Sequence, residues 1–325
     1  RLLINGPNWQ DAKTSIIEGR ELARLMSETF AELLDRHLRD PLLKAVFAGP
    51  AGDLGVPPSR ASAFVSLGIL NHYLGGAYFP VGGGGAMRDA FVTALEARGA
   101  LLHKNAPVTR IDVMSDGFAV HARGEIYEAR SVVSNADVAL TLGLLSGADV
   151  PGRIRDKVER LKPSLGACVV YAATDLDIAA LGMTDANIWH YGTSDIDACY
   201  AELYAGRVPD EPFFILTSPS LKDPEGHVVP NGHQTVEIIT MAPGEPFRRY
   251  FDGRPPRRGD DYAARKETIS ARLPAGAQRY LPGLRDPLVL SDRSTPATVW
   301  HFVRGVAGGI YGPELSPDPS VLRRV

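Results

Sequence analysis

The chain has 325 residues, enough for a substantial core and two domains, with 44% hydrophobic and 22% charged residues. A formal net charge of −3 gives no broad electrostatic reason to bind nucleic acid. Cys168 and Cys199 form no CxxC pair, which argues against a disulfide framework, and no apolar run approaches the ~20 residues of a spanning helix.

Read in chain order, Asp11 to Leu38 is a helical stretch, with Leu22, Leu25, Met26, Phe30, Leu33, Leu34 and Leu38 at three- and four-residue spacing. Asp40-Pro41 interrupts it and predicts a short helix from Leu42 to Phe47. Gly49-Pro50 to Pro57-Pro58 reads as a loop, and Ser59 as the cap of an apolar helix running to about Tyr73. After Gly75 the pattern changes. A helix over Ala86 to Arg98 ends at Gly99, and strands follow at Leu101-Leu102 and Val108 to Val113. Asp116-Gly117 signals a hairpin into Phe118 to Ala122, with Ile126-Tyr127 and Ser131 to Ser134 completing the strands. Ile154 to Leu161 reads as a charged surface helix. Ala167 to Ala173, Asn187 to Tyr191, Phe213 to Thr217 and Thr235 to Met241 read as strands. Arg248 to Asp261 reads as a loop and Tyr262 to Leu273 as a helix. The sum is an α/β protein with a mixed sheet flanked by helices.

Self-contained catalytic signatures are missing: no GxSxG, Walker loop or HExxH occurs. His227 and His233 match no standard metal spacing, so no metal is expected. His190 and His301 beside Trp189 and Trp300 read as satisfied histidines, and Asp175 and Asp177 as a solvated edge. Asp195 and Asp197 suit the first turn of a helix. The run Gly82 to Gly85 before a helix suggests a phosphate cradle, yet Gly83-x-Gly85 lacks the third glycine of GxGxxG and the acid after the next strand.

The ordered set from Gly75 to Asp137 is more specific. Tyr78, Pro80 and Gly82-Gly83 precede a helix; Gly99 follows, then Asn105, Val108 and Ile111 on a strand, then Ser134-Asn135-Ala136-Asp137. This pattern resembles the FAD-dependent amine oxidase and phytoene desaturase superfamily, most of all carotenoid desaturases, carotenoid isomerases and retinol saturases. Ser218-Pro219-Ser220, Asp223-Pro224, Pro230-x-Gly232-His233, Thr295-Pro296-x-Thr298 and Gly308-Gly309-Ile310-Tyr311-Gly312 are similar to later motifs of that family. The family's N-terminal GxGxxG and its C-terminal flavin motif are absent from these residues, so the expectation is the middle part of a flavoprotein.

The resemblance implies residues 1–73 as a helical part of a substrate domain, 74–146 as part of a doubly wound FAD-binding domain, and 147–325 as the mixed-sheet substrate domain. It implies an FAD-dependent oxidoreductase acting on a long apolar, isoprenoid-like molecule by desaturation, saturation or isomerisation. The Val108 backbone would meet the adenine, with Gly82, Gly83, Ala136 and Asp137 also on the cofactor side. Phe64, Leu67, Tyr73, Phe214, Ile238 and Trp300 would line the substrate pocket; no catalytic residue is singled out. An amine or amino-acid oxidase, and a non-catalytic binder of an apolar ligand or partner, stay open as alternatives. The expected location is cytoplasmic. Peripheral membrane contact and a homo-oligomer are both open readings of the apolar helical faces before Tyr73.

Overall fold

The computed structural model describes residues 12–147, 150–226, 232–252, 258–284 and 288–317. The N-terminal helical stretch is two helices, α1 (Ala12–Ser27) and α2 (Phe30–His37). The break falls at Thr29, whose hydroxyl accepts the Glu32 N–H while the Glu32 carboxylate accepts the Thr29 N–H, a reciprocal capping box. The T-x-x-E signature was readable in the sequence, but the continuous Leu periodicity hid it. Asp40 then caps α3 (Pro41–Ala48), whose first residue is a proline, and a 3₁₀ turn covers Gly49–Asp53.

The next helix, α4 (Ala63–Leu74), starts three residues later than a Ser59 cap predicts, with Ser62 at its N-cap. Ser59 is drawn away: its backbone N–H and hydroxyl both donate to Asp197 Oδ1, across 138 residues of sequence. Arg60 beside it forms a two-pronged ion pair with the largely buried carboxylate of Glu314, Nη2 to Oε2 at 2.6 Å.

Helix α5 (Gly83–Glu96) begins inside the glycine run. Gly82 is its N-cap at φ 78°, a left-handed conformation that favours glycine. At the far end Ala100 N–H donates to Leu95 O and Gly99 N–H to Glu96 O, with Gly99 at φ 75°. This is the left-handed stop that Gly99 predicts.

Strands β1 (Val108–Val113), β2 (Phe118–Ala122) and β3 (Glu125–Ala129) form an antiparallel meander. Arg123 and Gly124, both at positive φ, make the second hairpin, in which arginine stands where Asn or Gly is usual. Helix α6 (Val138–Leu144) leads to a short β4 (Leu145–Ser146), parallel to β1, giving the order β3-β2-β1-β4. Leu101-Leu102 and Ser131 to Ser134 are not strands; neither segment has a ladder partner among the described residues.

After α7 (Gly152–Glu159), a second sheet has the order β6-β7-β8-β5-β9. Its strands are β5 (Gly166–Thr174), β6 (Ile188–His190), β7 (Phe214–Thr217), β8 (Gln234–Ala242) and β9 (Leu288–Ser294). β9 carries Asp292 and Arg293 at an edge, and that polar content concealed it in the sequence. Between the strands lie α8 (Ile196–Tyr204), the single turn α9 (Pro219–Lys222) and α10 (Asp260–Ala277), with α11 (Pro296–Val303) last. The predicted loop from Arg248 begins inside a 3₁₀ turn at Glu245–Tyr250.

Leu273 and Ala277 of α10 pack with Val170, Phe214, Leu216, Val236 and Ile238 of the sheet in one core. Phe30, Leu33 and Leu34 of α2 join Tyr200, Leu203, Phe213 and Met241 in another. Burial of these side chains is worth roughly 1.5–3 kcal/mol each before entropy is subtracted. Cys168 is buried in β5, where desolvation pushes its thiol up to about 12.

Candidate functional site

The glycine run turns the chain at a meeting point of the two halves. The Gly82 N–H donates to Asp223 Oδ2 at 2.6 Å, and Asp223 is buried. The N-terminus of α5 attracts an anion, as helix termini do, but the anion is a protein carboxylate from the Ser218–Pro224 motif. The Gly82 N–H, at least, is satisfied from within the chain, in keeping with a glycine run that lacks the full GxGxxG pattern.

In front of this turn lies a cleft of about 610 Å³. One wall is Tyr73, at the end of α4, with Tyr78 and Phe79 from the loop before Gly82. The opposite wall is Asn187 and Trp189, before and in β6, with Lys222 ending α9. The Tyr73 hydroxyl donates to Asp53 Oδ2 at 2.5 Å. Burial raises the Asp53 carboxyl above its ordinary value, and burial together with the Asp53 charge raises the Tyr73 phenol. Lys222 Nζ donates to Asn187 Oδ1 and Thr217 Oγ1, each at 2.5 Å, and burial lowers its pKa.

A second cavity, of about 490 Å³ and largely apolar, brings Ala136 and Asp137 against Ile154 and Val158 of α7 and against Gly305, Gly309 and Ile310. The Ser134–Asp137 motif builds a helix start here. Asp137 Oδ1 accepts the Ala139 N–H, and the Ser134 hydroxyl pairs with Thr141. The late Thr295-Pro296-x-Thr298 motif is likewise a cap: the Thr295 N–H donates to Thr298 Oγ1, and Thr295 Oγ1 pairs with the Tyr262 hydroxyl. Gly308 sits at φ 72° with its backbone against Pro296; a Cβ there would lie 2.7 Å from the Pro296 oxygen.

Val108 is 38% exposed and lines neither cavity. Its strand pairs with β4 only at Ile111 and Asp112, so the backbone edge of residues 108–110 has no strand partner on that side among the described residues. That open edge fits a flat heteroaromatic ring read by main-chain N–H and C=O. At the glycine turn the Gly82 N–H is taken by Asp223 and the Gly83 N–H by Pro80 O. The open edge at residues 108–110 thus leaves main-chain groups that suit the adenine end of FAD.

The predicted pocket residues separate. Tyr73 reaches the cleft. Phe64 is half-buried on α4, and Leu67 packs on the helical core. Phe214 and Ile238 lie in the closed sheet–α10 core, because β7 and β8 are inner strands covered by that helix. Trp300 stacks on Phe251 at 5.1 Å between centroids. His190 packs on Phe214 and its Nδ1 pairs with the Tyr280 hydroxyl at 3.0 Å, the satisfied histidine expected. His301 sits edge-on against Phe302. His233 pairs with Asp175; His227, Pro230 and the C-terminal Arg324-Val325 lie outside the described residues. Asp177 caps its own turn through Ala180 N–H, and Asp195 caps α8. Sequence reasoning missed Asn187, Trp189 and Lys222, which share a cleft only because a sheet edge and a short turn converge. It found the Asp223-Pro224 motif but could not find its bond to Gly82.

A family model described as flavin containing amine oxidoreductase matches residues 13–229. All-trans-retinol 13,14-reductase of Danio rerio is 25% identical over 309 residues, covering 90% of this chain and 50% of that protein. Prolycopene isomerase 1, chloroplastic, of an Oncidium hybrid cultivar is 24% identical over 315 residues, covering 94% and 50%. The chain spans about half the length of the curated relatives it matches. Among solved structures, an oxidoreductase from Methanosarcina mazei superposes with a TM-score of 0.59 at 17% identity, over 87% of this chain and 61% of that one. This likeness shows a shared fold.

Proposed function

Because the chain belongs to the flavin containing amine oxidoreductase family, we propose that it is an FAD-dependent oxidoreductase for a long apolar, isoprenoid-like molecule. The observation that carries this reading is the aromatic-walled cleft of Tyr73, Tyr78, Phe79 and Trp189 beside the Gly82 turn. Support for the substrate class comes from relatives whose names are those of a retinol reductase and a carotenoid isomerase. FAD, when bound, supplies hydride or electron transfer, for which the protein needs few ionisable groups of its own.

In this proposal residues 74–146 belong to the cofactor lobe and the rest forms the substrate side. The Val108 main chain reads the adenine edge. Ala136 and Asp137 wall the apolar cavity beside Gly309, and Gly82 and Gly83 turn the chain so that Tyr78 and Phe79 face substrate. The rings offer the hydrocarbon flat apolar surface. The protein works in the cytoplasm with peripheral membrane contact, by the logic of a lipid-soluble substrate; no helix among the described residues is long and apolar enough to cross a membrane.

The test is flavin titration of the protein produced from its complete gene. Wild type is expected to bind FAD in one-to-one ratio. Val108→Pro, which deletes one N–H at a strand end, should weaken FAD by about tenfold, a single hydrogen bond's worth, while Val108→Ala should not. A colourless protein that takes up no added FAD would defeat the reading. The family name supports a weaker second reading, amine oxidation on the same scaffold; turnover of polar amines without response to retinoids or polyenes would favour it.

A further inference from the structure

Lys222 stands out in the cleft. Its ammonium forms no ion pair among the described residues, although it is partly buried and lines a space of about 610 Å³. A lysine head carries three N–H donors. Two are spent on neutral oxygens, Asn187 Oδ1 and Thr217 Oγ1, which position the nitrogen without neutralising it. One donor remains.

Two carboxylates lie in its field. Asp185 is exposed at the rim of the same cleft, where solvent screens it. Glu237, in β8, is partly buried, which raises its carboxyl, while the charge of Lys222 lowers it again; each favours the charged form of the other from beyond hydrogen-bond reach. Neither comes within ion-pair distance of Lys222. A partly buried cation whose hydrogen-bond partners are neutral and whose carboxylates stand off at longer range leaves a place for an anion with oxygen lone pairs.

The remainder of the cleft is unsuited to a small inorganic anion. Tyr73, Tyr78, Phe79 and Trp189 supply flat apolar surface. The volume falls within the roughly 300–1,000 Å³ of pockets that enclose small organic ligands. We propose that Lys222 is the head-group anchor of this cleft, which takes an extended apolar molecule ending in a carboxylate: the aromatic walls hold the hydrocarbon and Nζ the carboxylate. The proposal rests on the reading above that the chain handles apolar molecules, and it narrows the class to acids.

The experiment is quenching of tryptophan fluorescence by retinoate and, separately, by retinol, on the purified protein produced from its complete gene. Retinoate is expected to bind saturably and more tightly than retinol. Lys222→Met should weaken retinoate by at least about tenfold and leave retinol within about twofold, whereas Lys222→Arg, which keeps the charge, should lose little. Asn187→Asp sets a permanent carboxylate against Nζ and should also abolish the preference for the acid, with circular dichroism verifying the fold of each variant. Equal retinoate binding by Lys222→Met and wild type, or retinol preferred over retinoate by wild type, overturns the proposal. Flavin absorbance is read on a separate sample, so failure to take up FAD would defeat the oxidoreductase reading without touching the anchor, and the converse holds.

Discussion

Asp53 illustrates how one residue's surroundings set its chemistry. It lies at the end of the 3₁₀ turn, receives the Tyr73 hydroxyl and is held above its ordinary pKa by burial. A carboxyl whose folded-state pKa is raised keeps a proton that the unfolded chain has already shed. Stability therefore falls as pH rises from the ordinary aspartate value through the raised one, and the penalty is constant above it. Asp53→Asn keeps an acceptor for Tyr73 and removes the buried charge. Thermal unfolding should show the variant more stable than wild type at neutral pH, with the gap closing near the ordinary aspartate pKa. A gap independent of pH would refute this account. Asp223 is the counterpart, a buried carboxylate with a structural donor. Asp223→Ala leaves the Gly82 N–H without its partner and should cost about 1–3 kcal/mol in urea unfolding, with Asp223→Asn losing less.

At the level of elements, glycine and caps decide where helices begin and how segments cross. Gly82 opens α5 from a left-handed N-cap, three residues before the sequence pattern suggests, because Gly83 to Gly85 themselves wind into the first turn. Thr29 splits a continuous Leu-rich stretch because its capping box outweighs the periodicity. Gly308 combines positive φ with backbone contact against Pro296. Gly308→Ala should therefore destabilise the protein by more than the ~1 kcal/mol of a left-handed alanine alone, since the α11 start must also shift. Denaturant midpoints of Gly308→Ala and of a solvent-facing control, Gly152→Ala, give the comparison.

Across the whole molecule, the segment from Leu74 to Leu102 carries an unusual amount of apolar surface. Leu74, Tyr78, Val81, Phe91 and Leu101 are each more than 60% exposed, Tyr78 reaching 92%. Exposed apolar residues on this scale mark a contact surface. Under the proposed function, with a lipid-soluble substrate, a bilayer surface is the contact we expect. The protein should float with neutral phospholipid vesicles, and replacing Leu74, Val81 and Leu101 together by Ser should reduce flotation severalfold. Equal flotation by both would count against membrane contact through this face.

The sequence alone was sufficient for part of the local order of elements. The Gly99 stop, the meander from Val108 to Ala129 and the apolar runs of β5, β7 and β8 follow from backbone preference and burial period, which short stretches encode. The family pattern in Gly75 to Asp137 was legible for the same reason, since its turn and strand residues are close in the chain. Contacts across the chain were not legible. Ser59 left its expected cap for Asp197, the helix N-terminus behind the glycines found Asp223, and Phe214 and Ile238 closed into a core. Lys222, Asn187 and Trp189 became one wall only when a sheet edge met a one-turn helix. Such pairings depend on three-dimensional proximity between residues tens to hundreds of positions apart, and no local propensity records which partner will arrive.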